Sequence, residues 1–166
     1  MSNSSSLLEF NNSTRLEKII LNIDIGSSNY RLFSSAKLLK KLTFQFPSFG
    51  QVKKTIRSFG IRKGDYISCY CTIRGKRALL ILFKGLRDKN FTLKNKNFSD
   101  LYHFGFGLSD HLNMGVEYDQ SIGVQGINFT IKLDKLGSRI QFKKRMKRKI
   151  GFTKLVNKEQ IIEWYK

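Results

Sequence analysis

Apolar and polar residues alternate with a period of two in three stretches of the chain, which is typical of strands that bury one face. The stretches are 16–26, 66–74 and 127–133. Through most of each stretch, every second residue is aliphatic, aromatic or cysteine, and the residues between are mainly polar or charged. The pattern therefore predicts three strands of one sheet.

Helical spacing of apolar residues appears between these strands. Residues 32–42 place apolar side chains on one side and lysines on the other, which predicts an amphipathic helix. The apolar segment 78–86 predicts a second helix packed on the sheet, and 152–166 predicts a helical tail. Residues 87–97 are predicted to be irregular, and the glycine-rich stretch 98–112 is predicted to be a loop leading into a strand.

Together these elements predict an α+β fold, a mostly antiparallel sheet with helices packed on one face and the other face open. The chain divides into a Ser/Asn-rich leader (1–15), one domain (16–152) and a C-terminal extension (153–166), and Gly26–Asn29 is predicted to be a turn. The open face would carry the polar positions of the alternation: Lys18, Asn22, Asp24, Tyr66, Tyr70, Thr72, Arg74, Asn128, Thr130 and Lys132.

The net charge of +19, with 31 basic against 12 acidic residues, decides the class of partner. Self-repulsion of this size destabilises a compact monomer, and a polyanion relieves it. Nucleic acid is the leading candidate, and an anionic membrane surface is the second. The longest apolar run, 78–83, is far shorter than the roughly 20 residues that a membrane-spanning helix needs.

Basic residues are concentrated in two segments that suit contact with a phosphate backbone. The stretch from Gln45 to Arg77 has eight basic residues against one acid, Asp65, and contains a glycine-punctuated loop (50–64); a solvated surface is the alternative reading. The basic residues of this loop are Lys53, Lys54, Arg57, Arg62 and Lys63. The second segment, 139–149, has seven basic residues and no acid, and its alternative reading is a solvated helix face. Its basic residues are Arg139, Lys143, Lys144, Arg145, Lys147, Arg148 and Lys149.

The two cysteines, Cys69 and Cys71, are two residues apart in a strand pattern and therefore point the same way, inward. A metal site would need two more soft ligands, and only His103 and His111 are available. We therefore expect buried free thiols, with no metal and no cofactor.

The candidate catalytic residues, were the protein an enzyme, are acid–base side chains that lie near one another in sequence: His103, Asp110, His111, Glu117 and Asp119. No nucleophile motif, metal-ligand spacing or phosphate-binding glycine loop accompanies them. We therefore predict that the protein is not an enzyme. A free-standing RNA-binding protein or RNA chaperone is the alternative to a ribosomal one.

Several motifs resemble those of one family. Residues 16–26 read L-E-K-I-I-L-N-I-D-I-G, 45–47 read Q-F-P, 69–75 read C-Y-C-T-I-R-G and 126–131 read G-I-N-F-T-I. They resemble V-E-K-I-x-L-N-x-G-x-G, Q-K-P, C-K-V-T-L-R-G and G-L-D-I-T-I of the universal large-subunit ribosomal protein five, the family that docks 5S ribosomal RNA in the central protuberance. The resemblance covers about 16–152. The N-terminal amphipathic helix and the P-R-I-R-D-F-R-G segment of the family are not recognisable.

The resemblance implies a structural constituent of the large ribosomal subunit. Its partners would be 5S rRNA, large-subunit rRNA, neighbouring ribosomal proteins and P-site tRNA, the last reached by the basic loop of residues 46–64. The family's RNA-contacting positions carry over to Lys18, Asn22, Gln45 and Thr72. From strand alternation, Tyr70 and Arg74 are further RNA-binding candidates on the same face.

Residue usage also suggests a compartment. Lys, Asn, Ile and Phe are abundant and there is one Pro, a bias typical of A+T-rich genomes, and residues 1–14 lack the features of an import signal. These features predict an organelle-encoded protein of the mitochondrial ribosome, with a plastid or bacterial origin as the alternative.

Overall fold

The computed structural model describes residues 13–26, 30–116 and 118–166. Within them the strands are β1 (Arg15–Asp24), β2 (Ser48–Gln51), β3 (Tyr66–Ile73), β4 (His103–Leu108) and β5 (Ile127–Asp134). The helices are α1 (Tyr30–Thr43), α2 (Lys76–Asp88) and α3 (Lys158–Tyr165). The predictions for residues 1–12, for the turn at 27–29 and for Glu117 concern positions outside the described residues.

The five strands form one sheet in the order β2-β3-β1-β5-β4, and every pairing is antiparallel. Most inward side chains of the three predicted strands are buried in a single core with the helices, whereas Ile25 and Ile67 are partly buried. The predicted α+β class, with helices on one face of the sheet, is therefore confirmed. No helix in the described ranges is long and apolar enough to cross a membrane.

Close contact between α2 and the sheet depends on a glycine. A Cβ atom added at Gly85 would lie 2.9 Å from Cε1 of Phe129 and 3.3 Å from Cε2 of Phe106. These two rings are stacked with centroids 4.8 Å apart. The helix therefore approaches β4 and β5 over an aromatic layer that leaves no space for a side chain at this position.

The predicted helical tail is confirmed as α3, and it packs on the core. Val156 and Ile161 have no exposed surface, and the Trp164 ring lies 6.2 Å from the Phe104 ring. The Tyr165 hydroxyl donates a hydrogen bond to the carbonyl of Phe91 at 2.8 Å. Residues 153–166 are thus packed against the same sheet as the rest of the chain.

Two strands differ from the prediction. β2 lies inside the segment that the sequence marks as a loop, where a four-residue strand with one glycine gives almost no alternation signal. β4 lies in the middle of the glycine-rich stretch rather than after it. Its inward positions are apolar, but the outward positions include Gly105 and Gly107, which hide the alternation of a strand.

Candidate nucleic-acid interface

The face of the sheet that the helices leave uncovered carries polar side chains in register. β1 places Asn22 opposite Tyr70 on β3 and opposite Asn128 on β5. Side chains directly opposite one another in antiparallel strands have Cβ atoms about 4.5–5.5 Å apart. One row of two amides and a phenol therefore crosses the middle of the sheet.

A second row lies one step along the strands, with Ile20 between Thr72 and Thr130. Both threonines are exposed, and Tyr70 is 40% exposed. We call the surface formed by these rows and the adjacent charged positions the open face. Its residues are Lys18, Asn22, Tyr70, Thr72, Arg74, Asn128 and Thr130.

On the β4 side of the open face, two of the three outward positions are glycines. Gly105 lies opposite Thr130, and Gly107 lies opposite Asn128. A Cβ atom added at Gly105 would lie 2.8 Å from the carbonyl oxygen of Phe129, and one at Gly107 would lie 3.0 Å from Oδ1 of Asn128, so β5 leaves no room for side chains there. Asn128, Thr130 and the two glycines are not among the predicted binding residues. The outward alternation of β5 already pointed to Asn128 and Thr130, and the inward Phe104 and Phe106 are the signal that would have identified β4.

An acid orients the amides at one end of the open face. Asp24 Oδ2 accepts hydrogen bonds from Asn22 Nδ2 at 2.7 Å and from Asn128 Nδ2 at 3.5 Å. The side-chain oxygen of each amide is consequently the group turned away from Asp24. Oriented acceptors of this kind can read hydroxyls and exocyclic amines of RNA.

A second acid, absent from the predicted site, lies at the other end of the open face. The pairing register shifts between Leu16 and Lys18, and the Glu17 carboxylate forms two ion pairs. Its Oε1 is 3.1 Å from Arg74 Nη1, and its Oε2 is 2.6 Å from Lys132 Nζ. Burial raises the pKa of Glu17, but the hydrogen bonds from Lys132 and Arg74 outweigh it and hold the pKa below its usual value.

Lys132 differs from the prediction that it is an exposed residue of the open face. Its position in the alternation is correct, because it lies opposite Lys18, but only 8% of the residue is exposed. The Phe142 ring covers it, with the ammonium 4.9 Å from the ring centroid. A sequence pattern within one strand does not reveal a segment that folds over its end.

That covering segment begins the predicted basic run. A 3-10 turn, Ser138–Phe142, is fixed by a hydrogen bond from the Ser138 hydroxyl to Asp134. Buried Lys135 donates to Gln160 Oε1 at 2.8 Å and to the carbonyl of Leu155 at 3.2 Å. Burial, followed by the nearby charge of Lys154, lowers the pKa of Lys135. The hydrogen bonds of Lys135 and Ser138 therefore fix the segment that directly precedes the run.

The basic side chains of the run are all exposed. Residues 143–149 have no helical structure, so the helix that the alternative assumes is wrong, while the solvent exposure that it assumes is present. Because Phe142 lies over Lys132, the run starts beside the positively charged end of the open face. The two surfaces are therefore adjacent.

The basic loop is a hairpin extension of β2 and β3. Ile56 and Ile61 exchange backbone hydrogen bonds of 2.9 and 3.2 Å, and Gly60 makes the tip with φ +65°. Asp65, the acid that directly follows the loop, accepts from the backbone N–H of Arg62 at 3.0 Å. The five predicted basic side chains are exposed, and no ion pair joins them to another described residue. Their charge faces solvent.

Gln45 is not on the open face with the other predicted RNA-binding residues. Its Oε1 lies 3.4 Å from the thiol of Cys71, which donates to it. Cys71 points into the helix-covered side, and the Gln45 backbone N–H donates to Thr43 at 3.2 Å. The side chain is therefore turned toward the core at the edge of the sheet.

The prediction that both thiols are buried and free is confirmed. Cys69 has no exposed surface and Cys71 has 4%. Burial, with a smaller contribution from Asp24, raises the pKa of Cys69 to about 11. Among the described residues, no three His, Cys, Asp or Glu side chains are close enough to hold a metal ion.

The predicted acid–base residues that the structure describes have separate partners. His111 is 1% exposed, and its Nδ1 accepts from the backbone N–H of Gln125 at 3.3 Å. Asp119 pairs with Lys37 and Lys41, each at 3.3 Å. His103 is an exposed residue of the edge strand β4. Each of these described side chains therefore has its own surroundings, and none of the contacts above joins one to another.

Comparison with known proteins gives a consistent result. The family model for ribosomal protein L5 matches residues 11–62, and a second model, for the C-terminus of the same family, matches residues 66–156. The chain is 42% identical over 152 residues to the large ribosomal subunit protein uL5 of Dictyostelium discoideum, covering 92% of this chain and 75% of the relative. It is 41% identical over 151 residues to uL5 of Chlamydomonas reinhardtii, covering 91% and 89%. For uL5 of Tetrahymena thermophila the identity is 38% over 152 residues, covering 92% and 88%.

Proposed function

The chain belongs to the uL5 family of large-subunit ribosomal proteins, and from this premise we propose that its open face binds 5S ribosomal RNA. As a member of that family it is a structural constituent of the ribosome and not an enzyme. The observation that carries the proposal is the row of Asn22, Tyr70 and Asn128 in register on an uncovered sheet. Open sheets with polar and aromatic side chains are a recurrent platform for RNA.

Each side chain of the open face has a physical role in this proposal. Asn22 accepts from a ribose hydroxyl or base amine through its side-chain oxygen, and the Thr72 hydroxyl donates to or accepts from sugar or phosphate groups. Tyr70 stacks on a base or donates its hydroxyl. Lys18 and Arg74 neutralise phosphates, which fixes position without reading sequence. Gln45 enters the proposal through the family resemblance alone.

The basic loop has a second role. We assign its exposed cations to the P-site tRNA, which the hairpin reaches as an arm projecting from the sheet. The support is the pair of backbone hydrogen bonds between Ile56 and Ile61, which holds the arm in shape, together with its unpaired charge. Contacts of this kind go to backbone phosphates and carry little sequence preference.

The basic run at 139–149 is assigned to large-subunit rRNA beside the 5S contact. Its exposed charges lie next to the open face through Phe142 and Lys132, so one RNA surface can extend across both. Neighbouring ribosomal proteins are further partners. A mitochondrial ribosome is the proposed compartment on the ground of residue usage alone, because the names of the relatives specify no organelle.

Sedimentation separates this proposal from a free-standing RNA-binding protein. The tagged chain is expressed in its native cells, and large subunits are washed in high salt, which strips loosely bound factors. The proposal expects the protein to remain with large subunits and 5S rRNA to be recovered with it after nuclease trimming. A protein that leaves the subunits completely in the wash would contradict it.

A further inference from the structure

The apolar residues of helix α2 extend beyond the side that packs on the sheet. Its inner side is buried against the sheet through Ala78, Ile81, Leu82, Gly85 and Leu86. Its outer side carries three large apolar side chains that are more than half exposed: Leu79 at 51%, Leu80 at 66% and Phe83 at 60%. Large apolar side chains that lie together on a protein surface are normally covered by a partner. No described part of the chain supplies that cover.

The exposed apolar surface continues beyond the helix. Phe91 is 48% exposed with its ring 5.3 Å from the Phe83 ring, and Phe44 is 79% exposed. Leu80 lines a depression shared with Phe44 and a second one shared with Leu79 and Phe83. We call Phe44, Leu79, Leu80, Phe83 and Phe91 the α2 apolar surface. Contiguous apolar patches on a soluble fold mark interaction sites.

The charged side chains that flank this surface are basic. Lys76, Arg77 and Lys84 flank it on the helix, and the Arg77 guanidinium lies 6.0 Å from the centroid of the Phe44 ring. The acid of the helix, Asp88, accepts a hydrogen bond from Asn113 at its C-terminal end. A complementary partner therefore presents apolar side chains with acidic ones beside them.

We propose that the α2 apolar surface docks an acidic amphipathic helix of another protein, with leucine or phenylalanine along one face and glutamate or aspartate on its flanks. Helix-in-groove recognition uses anchors of this type at i, i+3, i+4 and i+7. A second copy of the chain fits poorly, because its charge of +19 is repelled. RNA fits less well, because bases could stack on the phenylalanine rings but would leave Leu79 and Leu80 without an apolar partner.

Docking here leaves the proposed RNA surface accessible. α2 packs on the face of the sheet opposite to the open face, so the partner and RNA contact different sides of the molecule. The proposal therefore expects both to bind at once. This property distinguishes it from an acidic protein that competes with RNA for the open face.

The test is fluorescence anisotropy with the full chain, freed of bound nucleic acid by nuclease treatment. The probe is a labelled synthetic peptide that carries four leucines at helical anchor spacing with glutamates on both flanks. A matched peptide with the same glutamates and serine in place of leucine is the control for charge alone. We expect the leucine peptide to bind about tenfold more tightly or better, because the leucines bury apolar area. Equal binding of the two peptides would overturn the proposal.

Variants locate the site. The double variant Leu80→Gln/Phe83→Gln is expected to weaken leucine-peptide binding about tenfold or more. The matched variant Phe33→Gln/Phe152→Gln removes side chains that are 67% and 80% exposed elsewhere, and is expected to bind as the wild type does. Circular dichroism checks that both variants fold. Equal losses in both, or no loss in the first, would contradict the proposal.

Three other occupants of the α2 apolar surface would each give a distinct experimental result, and each of these results would overturn the proposal. Flotation with phosphatidylserine-containing vesicles that is lost in Leu80→Gln/Phe83→Gln, without peptide binding, would assign the surface to a membrane. Dimers in sedimentation velocity that the same variant dissociates would assign it to a second copy. Peptide binding that appears only after deletion of residues 2–12 would assign it to the chain's own apolar Leu7, Leu8 and Phe10. Binding of the leucine peptide together with 5S RNA supports the proposal.

Discussion

The Glu17 carboxylate lies 2.6 Å from the Lys132 ammonium, at the most positively charged end of a face that otherwise displays mainly hydroxyls and amides. Glu17 also pairs with Arg74 at 3.1 Å, so one acid is shared between two cations. Lys132 is nearly buried and needs this partner, whereas Arg74 is exposed and can exchange it for a phosphate. We therefore expect the acid to stabilise the fold and to weaken RNA binding.

Glu17→Gln is expected to lower the free energy of unfolding by about 1–2 kcal/mol at pH 7, because it leaves the buried Lys132 without a counter-charge. The folded-state pKa of Glu17 is lowered, so its contribution is present above the unfolded value of 4.5 and is lost as the pH falls through the folded value. The difference between wild type and variant should thus shrink in acid. Urea unfolding at pH 7 and at pH 3 measures it.

Glu163→Gln, at an exposed position of α3, is the matched control and should change stability little at either pH. In the same preparations, Glu17→Gln should bind 5S RNA at least as tightly as the wild type, because Arg74 gains freedom to contact phosphate. A large loss of RNA affinity in a folded Glu17→Gln protein would contradict the account of this acid.

The parts of the fold that sequence predicts are those with strong periodicity. β1, β3 and β5 alternate clearly, and α1 and α2 bury a regular apolar stripe. Alternation can be recognised within the sequence of one strand, without knowing which segments pack beside it. It also places Asn22, Tyr70 and Thr72 on one face, which the pairing register confirms.

The missed features depend on contacts between distant segments. Lys132 alternates outward but is covered by Phe142, and Gln45 turns to a buried thiol rather than to the open face. Glu17 joins the open face through a register shift that has no signal in its own strand. Such placements follow from tertiary packing, which a pattern within one element does not encode.

The basic loop and the open face should be separable by their salt dependence. Lys53→Gln/Lys54→Gln/Arg57→Gln should leave the slope of log Kd against log [KCl] unchanged for 5S RNA. For tRNA, the slope should fall by roughly one unit for each phosphate contact removed. Lys76→Gln/Arg77→Gln/Lys84→Gln removes the same charge from the helix-covered side and is the control. Equal effects of the two triple variants on tRNA binding would show non-specific charge loss.

Neither cysteine should react in the native protein. Both thiols are buried, and the pKa of Cys69 is raised to about 11, so this thiol stays protonated at pH 8. Ellman's reagent at pH 8 should modify neither thiol in buffer and both in guanidinium chloride. Rapid reaction of a native thiol would show that this part of the core is open to solvent.

Gly85→Ala should destabilise the protein although alanine favours helices. The new Cβ meets the Phe129 ring at 2.9 Å, and overpacking of this kind costs about 1–3 kcal/mol, more than the gain of about 1 kcal/mol in helix propensity. Gly151→Ala is the control, since Gly151 has φ −65° and open space around its Cα. Thermal unfolding should show a lower Tm for the first variant and no decrease for the second.

The central claim is that the open face binds 5S RNA, and the most direct test is a filter-binding titration of 5S RNA at constant salt with Asn22→Ala/Thr72→Ala. Two lost hydrogen bonds of about 0.5–1.5 kcal/mol each predict roughly a tenfold weaker Kd. Gln120→Ala/Thr153→Ala removes exposed polar groups elsewhere and should bind as the wild type does. Unchanged 5S affinity in a folded Asn22→Ala/Thr72→Ala protein would contradict the claim.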